Sequence, residues 1–576
     1  MLHRYHAKRH ELALAMWVGF GASVFTRATA AQEGPGGPID SSEDLTETIP
    51  SGDGDLVESI EPSGDSPEAA SPTSAGEPEA KTKPDARVTL SGYARQSLEL
   101  VYGELARESR TKPEGTPPCP TDPTPCLWRD VFLSRTQLLL RATYLQRRHF
   151  EATVSGVLGY TLHVAQRAHR YSAGIVDLAR GELDPQLREA YLGFFWPAVD
   201  LRIGQQRVAW GRADFQSPND VINARDLRDP FFSETELRHQ PTPLIRSSVT
   251  VGPVTFEGVV SPFFIPDRFD VYGSNWAAIQ GQSPSRYQEF LGAASLLVDP
   301  SVEREFAQLW QQTARPLDNG KGTSAGARIF ANLSGIDLSA YYHYGYDRTP
   351  YVRLDPVFME YLRGPILADG QPAAEPRFPP GDAAPFGPVP GLINDLRRNG
   401  GPIAARYLRR HHVGFDLAAP LGPIVLRLDA AYQSRRVFYR LDLNSFATPA
   451  LLGVATLEYQ IGNLDDLILL EFLAQHLLHE PVKDPATELP LLAYERTTTA
   501  VAATLRWALG ESWGVDLRAL IGIHPETYVL QPALRYKASD SLTLRLGALI
   551  LSGAERSFGW AYSDNDSAFI QLRYAF

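Results

Sequence analysis

A stretch rich in charged and aromatic side chains lies between residues 201 and 232. This stretch reads LRIGQQRVAWGRADFQSPNDVINARDLRDPFF, and arginine and aspartate alternate through its second half. The chemistry that such side chains offer is electrostatic: they form ion pairs and line paths for charged or polar solutes. The candidate residues of this stretch are Trp210, Arg212, Asp214, Asp220, Asn223, Arg225, Asp226 and Arg228.

Motifs for covalent or metal chemistry are scarce. The chain has no His-Glu-x-x-His pattern and no phosphate-cradling loop, so we predict no enzyme activity, no metal and no other cofactor. A hydrolase that assembles serine and histidine from adjacent strands is the alternative. The only cysteines, Cys119 and Cys126, lie within CPTDPTPC, and in an exported chain we expect them to form a disulfide.

The N-terminus has the pattern of a secretory signal. Basic residues precede an apolar run over residues 12–25 and the small-residue exit Ala28-Thr29-Ala30. The run is shorter than the roughly 20 residues that a transmembrane helix needs. We therefore predict a signal peptide over residues 1–30, with a retained anchor as the alternative, and no transmembrane helix in the mature protein.

Residues 31–86 are rich in Pro, Ser, Gly and acidic residues. This composition buries too little surface to offset the entropy of ordering, so we predict a disordered periplasmic tether, with a specific docking segment as the alternative. Residues 32–85 contain 14 acidic residues and two lysines, a net charge of −12 that equals the net charge of the whole chain. Because the remainder is nearly neutral, we exclude nucleic acid as a partner.

From residue 87 onward, the hydrophobic pattern has a period of two, which predicts β-strands. In residues 541–552, for example, Leu542, Leu544 and Leu546 alternate with Thr543 and Arg545. The predicted strands cover residues 87–102, 131–146, 149–162, 187–196, 199–209, 243–251, 254–264, 324–333, 336–347, 405–418, 423–438, 450–461, 467–479, 492–509, 513–524, 527–537, 541–552 and 567–576.

Two features favour a transmembrane barrel over a soluble sandwich. Short turns alternate with longer loops along the chain, as in outer-membrane barrels, with one exception at residues 524–526. The last predicted strand, SAFIQLRYAF, is similar to the C-terminal strand of bacterial outer-membrane proteins, which addresses them to the barrel assembly machinery. Lipid also requires a closed sheet, which leaves no backbone edge unpaired. We predict an all-β, transmembrane antiparallel β-barrel of about 18 strands over residues 87–576.

If the apolar faces meet lipid, the opposite faces line the bore. The predicted lumen-lining residues are Arg135, Arg141, Arg202, Arg328, Arg427, Asp429, Arg518, Arg545 and Arg573. Their weighting towards arginine predicts a lumen that favours anions or polyhydroxylated chains. Pairing of these charges into a rigid internal lattice is the alternative.

A bore of about 18 strands is too wide for side chains to fill, so something must narrow it. Residues 210–242 follow the fifth predicted strand and form the third outside loop. We predict that this loop folds inward as a constriction, because an exposed loop has no need of so many Arg, Asp and Trp residues. The alternative is an external loop over the mouth of the barrel.

Parts of this loop and of the predicted strand before it resemble a segment of a proteobacterial family of outer-membrane proteins of unknown function. The matching residues are Gly204-Gln205-Gln206, Trp210-Gly211-Arg212 with Asp214, Asp220-Val221-Ile222-Asn223 and Asp226-Leu227-Arg228. The start of this segment, Gly204-Gln205-Gln206, is similar, more distantly, to polysaccharide-export barrels such as the alginate-export porin. Where the family pattern has Asn-Pro, this chain has Asn223-Ala224. The resemblance implies a barrel and leaves the substrate open.

The sequence thus predicts an integral channel of the bacterial outer membrane that passes a polar or anionic solute or an exported polysaccharide. The predicted partners are outer-membrane lipid, the barrel assembly machinery and periplasmic export components. One alternative is a component that exports lipid or hydrophobic compounds, which predicts an apolar ladder inside the barrel. Another is an anchor for a surface or motility complex, which predicts a sealed bore.

Overall fold

The computed structural model describes residues 86–101, 128–146, 149–167, 178–232, 235–268, 275–276, 322–354, 403–439, 445–461, 466–479, 495–554 and 557–576. The predicted signal peptide, nearly all of the predicted tether and the predicted Cys119–Cys126 disulfide lie outside these residues.

Eighteen strands form one closed antiparallel sheet, which confirms the predicted fold. In chain order they are β1 (Ala86–Val101), β2 (Trp128–Gln146), β3 (Phe150–Arg167), β4 (Leu178–Trp196), β5 (Val199–Gln206), β6 (Thr242–Val251), β7 (Val254–Ser261), β8 (Ser324–Leu333), β9 (Ile336–Tyr346), β10 (Arg409–Leu421), β11 (Ile424–Tyr439), β12 (Ser445–Gln460), β13 (Leu467–Leu477), β14 (Thr497–Ala508), β15 (Trp513–His524), β16 (Thr527–Lys537), β17 (Leu542–Gly553) and β18 (Ser567–Ala575).

Each barrel strand pairs with its neighbours in the sequence, and β18 pairs with β1. The closing register places Tyr93 opposite Ala575 and Val101 opposite Ser567. Closure gives the backbone of both terminal strands partners on two sides, which is the condition for a sheet in lipid. Within the described residues, the remaining elements are short: helices α1 (Thr235–Arg238) and α2 (Phe558–Ala561), a 3₁₀ turn (Ser563–Asn565), and two-stranded ribbons of Ala224–Arg225 with His239–Gln240 and of Tyr351–Leu354 with Ile403–Arg406.

Most predicted strands agree with the structure to within a few residues, and the exceptions have physical causes. β4 begins at Leu178 rather than at residue 187, because its first half is charged and contains Pro185, which hides the alternation. β5 ends at Gln206, before the predicted end at residue 209, because the chain turns away from the sheet there. The connection at residues 525–526 is short, as the sequence predicts.

Large apolar side chains lie on the outer face of the barrel. They alternate with buried polar residues: on β17, Leu544 and Leu546 are exposed, whereas Thr543 and Arg545 are buried. Others on the outer face are Leu140, Phe256, Ile329, Phe415, Leu470, Phe472 and Ile570. An apolar belt around a closed sheet is the arrangement of an integral outer-membrane barrel.

The barrel has two different ends. Four of its connections are the two-residue turns Pro197-Ala198, Gly252-Pro253, Ser334-Gly335 and Gly422-Pro423, and we call their end the turn rim. It also holds the start of β1 and the C-terminal Phe576, which exchanges backbone hydrogen bonds with Gly92 at 2.9 and 3.0 Å. The opposite end, from which residues 207–241 depart, is the loop rim.

Candidate functional site

Residues 207–241, called the internal segment below, leave the sheet after Gln206 and return at Thr242. Gly211 has a φ of +87°, and a Cβ there would lie 1.7 Å from the Ser217 hydroxyl oxygen. Only glycine fits this left-handed, crowded position, so the sequence Trp210-Gly211 directs the chain sharply away from the wall.

Trp210 fixes the start of the internal segment. Its side chain is fully buried. The indole nitrogen donates a 2.7 Å hydrogen bond to Glu257 on β7, and the ring packs 5.2 Å from that of Tyr341 on β9. Glu257 also pairs with Arg246 at 2.6 Å, so the carboxylate stays compensated when it holds the indole.

Two carboxylates of the wall then bind the backbone of the internal segment. Asp429 on β11 accepts the amide protons of Arg212 (2.9 Å) and Ala213 (2.8 Å). Glu471 on β13 accepts those of Asp214 (2.7 Å) and Phe215 (2.6 Å). A carboxylate that accepts two amides gains charge-assisted hydrogen bonds, and the amides are satisfied without a helix or sheet.

Side-chain ion pairs add to this attachment. Arg212 lies 3.0 Å from Asp337 on β9 and 3.0 Å from Asp416 on β10. Asp214 in turn pairs with Arg427 on β11. Charges on the segment thus meet opposite charges on three strands of the wall.

The second half of the internal segment is held partly by its own residues. Asn223 accepts the Val208 amide proton at 2.8 Å and donates to the carbonyl oxygens of Gln206 and Gln240 at 3.3 Å. Its amide therefore joins the departing and returning chains where the expected Asn-Pro would have placed a turn.

Charged side chains of the second half form ion pairs with each other and with β4. Asp220 contacts His239 at 2.6 Å and Arg225 at 3.7 Å, while Arg228 contacts Asp226 at 2.7 Å and Asp184 on β4 at 2.6 Å. Although burial opposes its charge, these carboxylates raise the pKa of Arg228 above its ordinary value.

An apolar layer lies inside the barrel towards the loop rim. Phe232 packs 5.3 Å from Phe569 on β18, and Phe231 lies 5.0 Å from Trp276 and 5.9 Å from Phe558 of α2. The inward-facing residues of this layer include Val454, Leu473, Leu520, Val529, Leu549 and Leu551. With the polar contacts above, this layer places the internal segment against the inner faces of strands all around the barrel.

Most buried charges of the inner wall lie in two arcs, and Arg188 on β4 lies in neither. On β1 and β14–β18, the arginine arc, they are Arg95, Arg506, Arg535, Arg545 and Arg573, with the carboxylates Glu99 and Asp516. On β7–β13, the acidic arc, they are Glu257, Asp337, Asp416, Asp429 and Glu471, with the arginines Arg427 and Arg436. The internal segment covers much of the acidic arc with amides and Arg212.

All nine predicted lumen residues occupy inward-facing positions, and most have partners. Arg135 pairs with Glu99 (2.6 Å), Arg141 with Glu189 (2.9 Å), Arg202 with Glu151 (3.7 Å) and Arg545 with Asp516 (3.4 Å). Arg328 lies over Phe330 at 5.2 Å, and Arg573 over Tyr93 at 4.8 Å. Arg427 and Asp429 bind the internal segment, as above, whereas Arg518 is half-buried on β15 and its positive charge acts on Arg238.

A polar cavity of about 80 Å³ lies between the internal segment and the acidic arc. Its charged lining combines Asp220, Arg225, Asp267, Asp347, Arg348, Arg410 and Arg436. Arginines and aspartates are nearly balanced there, so the cavity favours water or a polar solute over a particular charge.

Alternation along the strands did not identify several functional residues. Glu471 is the only charge in LILLEFLAQHL, a signal that marks an inward carboxylate in an apolar strand. The alternation along their strands places Asp416 and Tyr341 on the inner face. Their contacts to residues more than 100 positions away cannot be read from the sequence. Arg238 gave no signal, since it lies outside any alternating stretch.

Residues 322–326, GTSAG, match Gly-x-Ser-x-Gly, but Ser324 begins strand β8 rather than a strand-to-helix turn, so the nucleophile context is missing. Among the described residues, no group of three or more His, Cys, Asp or Glu side chains is placed to hold a metal ion. Over the same residues, no helix has the length and hydropathy to cross a bilayer.

Several solved structures are similar to this chain at low sequence identity. OccK7 (OpdD) of Pseudomonas aeruginosa matches with a TM-score of 0.39 and 11% identity, over 85% of this chain and 99% of its own. OmpF of Salmonella typhi, in complex with daunomycin, gives 0.33 and 11%, over 85% and 98%. A loop-deletion mutant of OmpT of Vibrio cholerae gives 0.33 and 9%, over 86% and 100%.

Sequence comparison with curated proteins gives no match. A family model does match, over residues 164–522. This range is more than half of the chain and includes the whole internal segment. The chain therefore belongs to the family described as "Protein of unknown function (DUF1302)".

Proposed function

We propose that this protein is an outer-membrane channel that passes small anionic solutes, with the internal segment as its constriction. The closed barrel with an apolar outer face supports membrane insertion. Passage of a polysaccharide chain would require the internal segment to move, because the segment contacts the wall from β4 to β18.

The division of the wall into two arcs is the observation that carries the proposed selectivity. The internal segment binds the carboxylates of the acidic arc, through Asp429, Glu471 and the pairs of Arg212. The arginine arc keeps five buried arginines against two carboxylates. Space left beside the segment is therefore bordered by excess positive charge, which favours anions in a narrow, low-dielectric passage.

Reversal potentials across a planar bilayer with a potassium chloride gradient test this proposal. The wild-type protein should be anion-selective, and replacing Arg535 and Arg545 together by Gln should shift the potential towards cation selectivity, because both pair with Asp516, which would remain. Arg435→Gln is the matched control, since Arg435 is exposed on β11. Cation selectivity of the wild type, or equal shifts in both variants, would reject it.

A second candidate function is favoured by the apolar layer. The hydrophobic-export alternative predicts an apolar ladder inside the barrel, and Leu473, Val529, Leu549 and Leu551 form such a surface under the phenylalanines of the internal segment. If apolar compounds use it, Leu549→Gln should slow the entry of a fluorescent long-chain alcohol into vesicles that contain the protein. Equal rates for variant and wild type would remove this candidate.

A further inference from the structure

Arg238, the last residue of α1, is a buried cation of the internal segment whose guanidinium has no hydrogen-bond partner in the described structure. Its side chain is 3% exposed. None of its three guanidinium nitrogens forms a hydrogen bond within the described structure. The other arginines of the same segment that are named above, Arg212, Arg225 and Arg228, all bind carboxylates.

The charges around Arg238 are mostly positive. In decreasing order of effect they are Asp229, Arg518, Arg225 and Arg95. Asp229, the one carboxylate among these four residues, already pairs with Arg135 at 3.5 Å and accepts the Phe232 amide proton at 3.3 Å. Burial, only partly offset by Asp229, lowers the pKa of Arg238 to about 9, so the group is charged at neutral pH in surroundings that disfavour the charge.

Neighbouring groups supply hydrogen-bonding capacity at the same place. Leu237 packs with Tyr93 and Leu139, which sets α1 against the inner face of β1 and β2. Arg95 on β1 is buried, and both its Nε, at 3.0 Å, and its Nη2 donate to Gln137. A buried, unpaired guanidinium costs several kcal/mol, which an anion with two or more oxygens can offset through the planar fork.

We propose that Arg238, with Arg95 and Arg518, forms an oxyanion-binding site that takes a phosphate or carboxylate group and fastens the internal segment to the arginine arc. The site joins three elements that are distant in sequence: β1, α1 and β15. An oxyanion bound there bridges the segment to the wall and stabilises its inward position. This proposal stands independently of conduction, because it depends on the burial of Arg238 and on the charges around it rather than on an open path through the barrel.

The test is calorimetric titration of the full-length purified protein in detergent, with inorganic phosphate or glucuronate at constant ionic strength. Saturable binding of one anion per chain is expected, and Arg238→Gln should weaken it about tenfold or more, the loss of a charge-assisted pair. Arg202→Gln, which removes the same charge elsewhere in the lumen, should leave the affinity unchanged. Binding of phosphate identifies a free inorganic anion as sufficient, whereas binding of glucuronate alone identifies a sugar carboxylate.

Thermal unfolding separates this role from a merely structural one. The oxyanion should raise the Tm of the wild type and of Arg202→Gln, but not that of Arg238→Gln. Without oxyanion, Arg238→Gln should melt at or above the wild-type temperature, because an unpaired buried charge has been removed. If this variant does not fold, Arg238→Lys, which keeps the charge but loses the fork, should bind more weakly than the wild type.

Lack of saturable binding by either anion, or equal affinity in Arg238→Gln and wild type, would overturn the site. A protein that binds the oxyanion but does not conduct would retain the site and reject the proposed channel. A protein that conducts without binding the oxyanion would retain the proposed channel and reject the site.

Discussion

At the scale of single residues, two buried carboxylates hold the start of the internal segment. Asp429 and Glu471 are almost fully buried and accept four consecutive backbone amides, from Arg212 to Phe215. Both carboxylates need these donors, because a buried charge without hydrogen bonds is costly. The segment needs them equally, since its amides have no sheet or helix partner.

Asp429→Asn should loosen this attachment. One carboxylate oxygen becomes an NH₂ group, which cannot accept an amide proton, so the segment should lose about 1–3 kcal/mol of local stability. Hydrogen exchange at the Arg212 and Ala213 amides should accelerate accordingly. Asp200→Asn removes the same charge on β5 without touching the segment in the described structure, and exchange at these two amides should not change. Equal acceleration in both variants would contradict the assigned role of Asp429.

At the scale of elements, the internal segment depends on one backbone conformation. Gly211 has a φ of +87° and Gly510, in the turn between β14 and β15, has a φ of +102°. An added Cβ lies 1.7 Å from Ser217 at Gly211, but meets nothing within 4 Å at Gly510. Both glycines have a left-handed backbone conformation that would strain another residue. Only at Gly211 would an added Cβ also clash with neighbouring atoms.

Gly510→Ala should therefore cost only the strain of a left-handed alanine, about 1–2 kcal/mol. Gly211→Ala should cost more and should expose the internal segment to proteolysis, because Ser217 and Asp429 must move. Limited proteolysis of the folded barrels, followed by mass spectrometry, distinguishes the two. Resistance of the segment in Gly211→Ala would show that Gly211 does not determine its path.

Strand positions were predictable from the sequence because lipid on one side and water on the other force a period of two. On β17 and β15 this alternation assigned Arg545 and Arg518 to the inner face, as observed. Where both faces are apolar the polar–apolar contrast disappears, although the faces still alternate: Leu549 and Leu551 face inward beside the outward Ile550. The apolar layer was missed for this reason, and long-range pairs such as Arg212 with Asp416 are set by folding rather than by spacing.

The structure adds the position of each charge around the barrel, at the same scale. Buried arginines outnumber buried carboxylates on β1 and β14–β18, and Arg188 is buried on β4, whereas buried carboxylates outnumber arginines on β7–β13. Adjacent Arg228 and Asp229 also pair elsewhere, with Asp184 and Arg135 respectively. Single-strand alternation gives the face of a residue, but not its position around the barrel.

At the scale of the whole molecule, the barrel is stable in the membrane because its outer face is apolar. Leu546 lies near the middle of β17 and is exposed on that face. Leu546→Arg should reduce the stability of the barrel in lipid vesicles by about 2–4 kcal/mol, the cost of a cation near the bilayer centre. Urea titration of folding measures this loss. Ser248→Arg, beside Asp200 on the inner face, should cost less, and an equal loss would contradict the assignment of faces.

Conductance bears most directly on the central claim, which is that the internal segment narrows the bore of a membrane barrel. We would record single channels of the full-length protein and of a variant lacking residues 212–236 in planar bilayers, after showing that both variants form heat-modifiable barrels. We predict a small current for the complete protein and a several-fold larger, ohmic current for the deletion. Equal conductance in the two proteins, or silence in both, would contradict the claim.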